Sequence, residues 1–283
     1  MPPALTSLYT LSFLLALLTT LFVVCSLRLL AILPNARLRP RQPRLRARPA
    51  CARVLVVLGS GGHTHEMFAL LRGLDARKYV SRTYVVSSGD AFSAGRAVAF
   101  ETGLEARWNG GDGDGRGQGR GQGQESGMEG VGAASFLAAR KTGVDADAES
   151  RLRCVGPGAY DIATIPRARR IHQPLYTTPF SALVSLAMAF KPLLAPDPPA
   201  LIVTNGPATA VIVVLAAFIL RFFDVRGVES KGLCRTVYVE SFARVKTLSL
   251  SGKLLVHVVD RFLVQWEELK GYGGRAEYCG ILV

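Results

Sequence analysis

Two periods alternate along this chain after its first fifty residues. Short apolar runs rich in β-branched residues are closed by glycine or small polar clusters, and between them apolar residues recur every three to four positions. The first pattern predicts buried strands and the second amphipathic helices. The clearest unit is Val54–Leu74: the run VLVVL stops at Gly59-Ser60-Gly61-Gly62, and Met67, Leu70, Leu71 and Leu74 then follow the i, i+3, i+4, i+7 spacing of a helix face. Further strands are predicted at Arg82–Ser88, Tyr160–Ile165, Leu201–Thr204, Arg235–Glu240 and Arg261–Gln265. A helix opens at Thr178-Pro179, with Leu183, Leu186, Phe190 and Leu194 as its expected core face. Strands alternating with helices predict an α/β fold with a parallel sheet covered on both faces.

Two stretches break the alternation. Met1–Leu27 carries no charge, and Leu5–Leu27 is apolar apart from Ser and Thr. As a helix it would be on the order of 35 Å long, enough to cross a hydrocarbon core of about 30 Å. A cleavable signal peptide would need a positive amino-terminal region, which MPPALTSLYT lacks, so residues 1–33 read as an uncleaved transmembrane anchor. Arg28 is expected to snorkel toward headgroups. Arginines follow the segment and none precedes it, which predicts a cytosolic domain and a lumenal amino terminus. Residues 34–52, rich in Arg and Pro, read either as an extended linker against anionic lipid or as a solvated flank without lipid preference.

The second break, about 109–150, is Gly-rich and repetitive (GGDGDGRGQGRGQGQ) and reads as a flexible insertion in a domain spanning 53–283. Leu201–Phe223 is apolar enough to be weighed as a second span. Thr204-Asn205-Gly206-Pro207 divides it, however, and favours a buried strand followed by a helix.

Charge changes the picture little. The formal charge is +13, but eight of the 34 basic residues are arginines within 1–53, where no acid occurs; the other 26 face 21 acids, a net of +5. That balance gives no reason to expect a nucleic-acid partner. Five widely spaced cysteines without a CxxC pair argue against a zinc or disulfide framework and for a reducing compartment.

In open parallel sheets ligands lie outside the carboxyl ends of the strands. That rule gathers four loops, Gly59–Glu66, Ser87–Asp90, Thr204–Thr209 and Glu240–Thr247, into one rim. The glycine loop at a helix start suits an anion, most naturally a phosphate or pyrophosphate. It lacks the last glycine of G-x-G-x-x-G and is not a Walker A loop. Candidate acceptor or phosphate contacts are Gly59, Ser60, Gly61, Gly62, Thr64, Ser87, Ser88, Asn205, Gly206, Ser241 and Arg244.

His63 at the helix start is either a base or phosphate donor, or a local cap. His65 makes an HxH pair, but without a third ligand no metal is expected. Glu66 reads first as a first-turn carboxylate favoured by the helix dipole. Glu240, at a strand end, is the better candidate for accepting a hydrogen bond from a sugar hydroxyl. Arg244 and Lys246 either offset phosphate charge or form a solvated face. The DxD triplets at Asp112-Gly113-Asp114 and Asp145-Ala146-Asp147 fall in the Gly-rich stretch and read as accidents of composition.

The segments LGSGGHTHEM, SSGD, TNGPAT, VYVESFARVKTLSLSGKLL and DRFLVQWEEL together resemble one family closely. It is that of the membrane-anchoring subunits of the endoplasmic-reticulum UDP-N-acetylglucosamine transferase, the fourteenth member of the asparagine-linked glycosylation set. The glycine loop is also similar to that of the bacterial lipid-linked muramyl-peptide GlcNAc transferase.

The resemblance implies a single Rossmann-like domain, the amino-terminal half of a split GT-B glycosyltransferase. A separate soluble subunit would bind UDP-GlcNAc and this chain the acceptor, GlcNAc-PP-dolichol, with no metal or other cofactor. It also implies the endoplasmic-reticulum membrane, with the contiguous outer nuclear membrane, as the location. His63 is then the first candidate base and Glu240 the second. Nothing after Val283 supplies a second Rossmann domain, and Ile281-Leu282-Val283 reads as a docking tail or a final strand. A self-sufficient membrane glycosyltransferase and a pure recruitment scaffold are the competing expectations.

Overall fold

The computed structural model describes residues 3–34, 52–110, 154–168, 173–206 and 208–282. The basic linker (apart from its ends), the Gly-rich stretch from 111 onward with both DxD triplets, and Val283 lie outside the described residues. Within them, seven strands form one sheet: β1 (Arg53–Val57), β2 (Ser81–Ser87), β3 (Tyr160–Ile165), β4 (Leu201–Asn205), β5 (Arg235–Val239), β6 (Arg261–Val264) and β7 (Ala276–Tyr278). Their spatial order is β3-β2-β1-β4-β5-β6-β7, and each neighbouring pair is parallel. The chain is therefore α/β, as the alternation of periods predicts.

β1 sits at the point where the winding reverses. The chain leaves it toward β2 and β3, returns across the sheet to β4, and winds outward through β5, β6 and β7. Side chains alternate across a strand, and β1 divides accordingly. Val54 and Val56 pack with Met67 and Phe68 of α2 (Gly62–Leu70) and Ala97 of α3 (Ala91–Gly110). Leu55 and Val57 pack with Ala189 and Leu193 of α4 (Thr178–Leu193) and with Val213 and Ala217 of α5 (Ala208–Phe222). A short α6 (Leu250–Leu255) adds Leu255 to a third cluster built on Tyr238 and Phe262.

Three local expectations are corrected. The helix after the glycine loop stops at Leu70; Leu71–Gly73 form a tighter 3-10 turn and Leu74 is extended. Gly73 disfavours further helix, and the tighter turn still lets Leu71 and Leu74 reach the core. In α4, Leu186, Phe190 and the following Leu194 pack inward, but Leu183 is 62% exposed; Ser185, Ala189 and Leu193 hold the buried positions instead. The helix is apolar on both sides, and its small residues set the phase by allowing close approach to the sheet. The apolar stretch after Leu201 is a strand and the 15-residue α5, most of whose side chains are buried.

The third correction concerns the amino-terminal helix α1 (Pro3–Ile32). Tyr9–Ile32 has a mean hydropathy of 2.3 with no part of its apolar window buried, and among the described residues it is the one helix long and apolar enough to cross a membrane. Arg28 does not point away from the fold. Its guanidinium donates to the carbonyls of Phe222 (2.8 Å) and Arg221 (2.9 Å), the last turn of α5, where carbonyls lack helical partners and the dipole favours a cation. Ile32, one turn further along α1, is buried.

Beneath the Arg28 contact lies a buried charge network at the amino-terminal edge of the sheet. Arg221, itself 1% exposed, donates to Glu229 (2.8 Å) and Asp260 (2.8 Å), and Asp260 also accepts from Arg235 and the Thr236 backbone. Burial works against the Asp260 charge, but Arg221, the Thr236 N–H and Arg235 outweigh it and hold its pKa below the usual carboxylate value.

Candidate functional site

At the opposite, carboxyl-terminal edge of the sheet, the loops after β1, β2, β4 and β5 meet. The loop after β1 turns at Gly61, whose φ of 62° and ψ of −123° suit glycine and few other residues. Its buried start is braced: the Gly59 carbonyl accepts from the Thr64 hydroxyl, and Ser93 Oγ lies 2.7 Å from Thr64 Oγ1 and 2.7 Å from the Asp90 carboxylate. Thr64 therefore spends its hydroxyl on holding the loop. Ser60, Gly61 and Gly62 are exposed, and the start of α2 has no side-chain cap. Uncapped N–H groups at the positive end of a helix are suited to an anion.

The second loop contributes structure more than free groups. Ser87 Oγ lies 2.9 Å from Thr209 Oγ1 at the start of α5, which ties the end of β2 to α5, and the Ser88 N–H donates to Ile165. The Ser88 side chain is exposed.

The centre of the rim is a cluster drawn from three loops. Glu66 accepts from Asn205 Nδ2 (2.8 Å) through one carboxylate oxygen and from Ser241 Oγ (3.0 Å) through the other. His63 Nδ1 stands 3.7 Å from the Asn205-bound oxygen, a charge contact rather than a hydrogen bond. The His63 ring lies over Gly206, which has φ +82°; a Cβ there would come within 2.7 Å of the ring. Gly206 thus admits the imidazole to the crevice between β1 and β4, the topological switch point.

Among the described residues two buried side-chain polar atoms have no hydrogen-bond partner, His63 Nδ1 and Asn205 Oδ1, and both belong to this cluster. Buried polar groups are almost always paired, so two orphans side by side mark a polar site.

Electrostatics bind the cluster together. The neighbouring Glu66 raises the His63 pKa above the usual imidazole value; burial opposes the rise, and Asn205 and the more distant Glu240 add to it. For Glu66, burial pushes the pKa up, but His63, Asn205 and Ser241 prevail and keep it below the usual carboxylate value. The pair favours an ionised carboxylate facing an imidazole that readily accepts a proton.

Glu240 occupies a different place. It is 1% exposed, and its carboxylate accepts from the Ser241 N–H (3.1 Å), the Ser249 N–H (3.1 Å) and the Ser249 hydroxyl (3.0 Å). Ser249 in turn caps α6 by accepting from Gly252, where a Cβ would run into the Glu240 carboxylate. Glu240 thus sits behind the rim and organises the 241–249 loop from within. Arg244 is exposed, its backbone N–H closing a turn onto Ser241.

Spacing in the sequence does not reveal the Glu66 role, because its partners come from 139 and 175 residues away. It also does not single out Phe242 and Trp266, whose rings lie 5.0 Å apart while the indole N–H donates to the Phe242 carbonyl, an aromatic edge on the same rim. Among the described residues no three His, Cys, Asp or Glu side chains are grouped as metal ligands.

Residues 54–108 and 135–282 match the family described as "Oligosaccharide biosynthesis protein Alg14 like". The UDP-N-acetylglucosamine transferase subunit alg14 of Aspergillus fumigatus is 36% identical over 263 residues, covering 77% of this chain and 100% of that protein. The Schizosaccharomyces pombe subunit of the same name is 34% identical over 234 residues, covering 81% and 82% of the two chains. The Homo sapiens subunit is 32% identical over 230 residues, covering 81% and 82%. No solved structure gives a significant match. With the family matched over most of the chain and relatives above 30% identity over four-fifths or more of their lengths, this chain belongs to the Alg14 family.

Proposed function

We propose that this chain is the membrane-anchored, acceptor-binding subunit of a UDP-N-acetylglucosamine transferase that adds the second GlcNAc to GlcNAc-PP-dolichol. In this reading the donor sugar nucleotide is bound by a separate soluble subunit, and the complex works on the cytosolic face of the endoplasmic-reticulum membrane. The observation that carries the reading is the His63–Glu66–Asn205–Ser241 cluster beside an uncapped glycine loop, in a chain of the Alg14 family. The relatives' own names, transferase subunits, support a non-autonomous role. The apolar α1 and the arginines that follow it support the anchor and its direction. Ile281, 60% exposed beyond the edge strand β7, supports a docking tail over a last core strand.

Glycosyl transfer needs a base on the acceptor hydroxyl and fixed dipoles for the phosphates. The glycine loop, through Ser60, Gly61 and Gly62, holds the acceptor's pyrophosphate, with the exposed Ser88 hydroxyl and Arg244 at its margin. Glu66, fixed by Asn205 and Ser241, keeps the His63 Nδ1 proton on its own side of the ring. Nε2 is then left with a lone pair for the acceptor hydroxyl. Glu240 acts from behind by holding Ser241 and the loop in place.

Co-purification from membranes followed by an assay with UDP-GlcNAc and a GlcNAc-PP-lipid tests the reading. Transfer is expected only when a soluble partner is present; turnover by this chain alone, or the absence of any such partner, overturns it.

A further inference from the structure

Asn205 is fully buried, yet only half of its side-chain amide is used. Its Nδ2 donates to Glu66 (2.8 Å), while Oδ1 accepts from no group among the described residues. The amide cannot relieve this by turning over. A half-turn would bring Oδ1 against the same carboxylate oxygen, and the groups around Glu66 keep it ionised, with its pKa below the usual carboxylate value. Oδ1 is therefore fixed as an acceptor on the side away from Glu66.

The backbone that carries the amide is equally constrained. Asn205 pairs with Val239 in the ladder between β4 and β5, and the buried Tyr238 hydroxyl donates to the next carbonyl, that of Gly206 (3.3 Å), and lies 3.2 Å from Ser249 Oγ. A nearby donor is the His63 ring, whose pKa Asn205 helps to raise, but the larger pull on it comes from Glu66 and its Nδ1 makes no hydrogen bond to Oδ1. An acceptor left unpaired in the interior is costly. Such atoms are ordinarily met by a ligand or an ordered water.

We infer that Asn205 Oδ1 is a specificity contact for the acceptor's sugar, taking a hydrogen bond from an N–H or O–H of its GlcNAc residue and not touching the pyrophosphate. An ionised pyrophosphate carries acceptors only, so it cannot pair with Oδ1. The donors that the acceptor offers are its amide N–H and the hydroxyls that do not react. The rim is thus divided, with the uncapped N–H groups of the glycine loop for the phosphates and one fixed carbonyl oxygen for the sugar. A site built to hydrogen-bond a substrate group rejects the analogue that lacks it, because its own buried group is then left unpaired. The inference rests on the acceptor proposed above, and the test separates the two.

Full-length wild-type and Asn205→Ala chains are each co-purified with the soluble partner and assayed with UDP-GlcNAc on GlcNAc-PP-lipid and on two kinds of analogue. One carries a 2-O-acetyl ester in place of the acetamide; in the others a non-reacting hydroxyl is replaced by fluorine. Ester oxygen and fluorine nearly keep the shape but cannot donate. Their electronic effect on the reacting hydroxyl is common to both chains, so the ratio of kcat/KM on the native acceptor to that on each analogue is compared between the chains. One ratio is expected to be about ten- to a hundredfold larger for the wild type than for Asn205→Ala, and whether it belongs to the ester or to a fluoride identifies the donor. Ratios equal in the two chains overturn the inference, whether another residue reads the sugar or a water satisfies Oδ1. Asn205→Ser, which retains a hydroxyl to donate toward Glu66, is run in parallel with thermal unfolding of both variants. If the variants fold but transfer to no acceptor, Asn205 is a brace for Glu66 and the inference fails. If neither folds, the wild-type ratios decide: one that large supports the contact, and none overturns it. No transfer to the native acceptor by the wild-type complex instead overturns the proposed function.

Discussion

Replacing Glu66 with Gln tests the chemistry of the rim with little change of shape. The amide carbonyl can take the Asn205 donor and stay near His63, while the amide NH2 faces the Ser241 hydroxyl, which can turn to accept. What disappears is the charge. At 3.7 Å, a carboxylate attracts an imidazolium by about 1 kcal/mol in water and about 4 kcal/mol at an effective dielectric constant near 20. One third of the His63 side chain is exposed, so screening places the effect toward the lower figure. A base gains its positive charge in the transition state, and each ~1.4 kcal/mol is tenfold in rate. A plateau fall of about tenfold in kcat/KM follows.

The pH dependence supplies the sharper readout. Glu66 holds the His63 pKa up, so the wild-type base is freed only as pH rises past that raised value. Without the charge the imidazole is freed sooner, and the acid limb of kcat/KM moves to lower pH even as the plateau drops. The assay is transfer by the reconstituted complex on a GlcNAc-PP-lipid across a pH series, with thermal unfolding of the variant as a control. An acid limb that stays in place, with or without a lower plateau, refutes the pairing as a catalytic device and leaves Glu66 a loop brace.

Three further outcomes follow from the same geometry. His63→Ala is expected to cost about 10²–10⁴ in rate with an unchanged melting temperature, whereas Glu240→Gln, which must face one of its backbone donors with an amide NH2, lowers activity and melting temperature together; thermal unfolding beside transfer assays distinguishes the two. Gly206→Ala places a Cβ against the His63 ring at a positive φ, so it should reproduce the His63→Ala rate loss and add about 1–3 kcal/mol of strain, read by denaturant unfolding. Asp260→Asn leaves Arg221 short of a counter-charge and should destabilise by about 3–5 kcal/mol at neutral pH. Because Asp260 is held below the usual carboxylate value, the stability it gives is present above that value and lost as pH falls through the folded pKa. The variant should therefore show a flatter acid side in its stability-versus-pH curve.

The strands were legible because their runs are short, β-branched and closed by small residues, as in VLVVL before Gly59. The parallel order then follows from the helices between them, and with it the edge where the four loops meet. What spacing could not carry was phase and partnership. In α4 apolar residues lie on every side, so Leu183 and Leu186 were equivalent in the sequence, and only the close approach of Ser185 and Ala189 to the sheet separates them. Glu66 had a sufficient local explanation in the helix dipole, and nothing nearby in the chain announces Asn205 or Ser241. Arg28 followed a membrane segment and so read as a snorkel, but its acceptors lie almost two hundred residues away. In each case the missing information was a long-range contact, which periodicity does not encode.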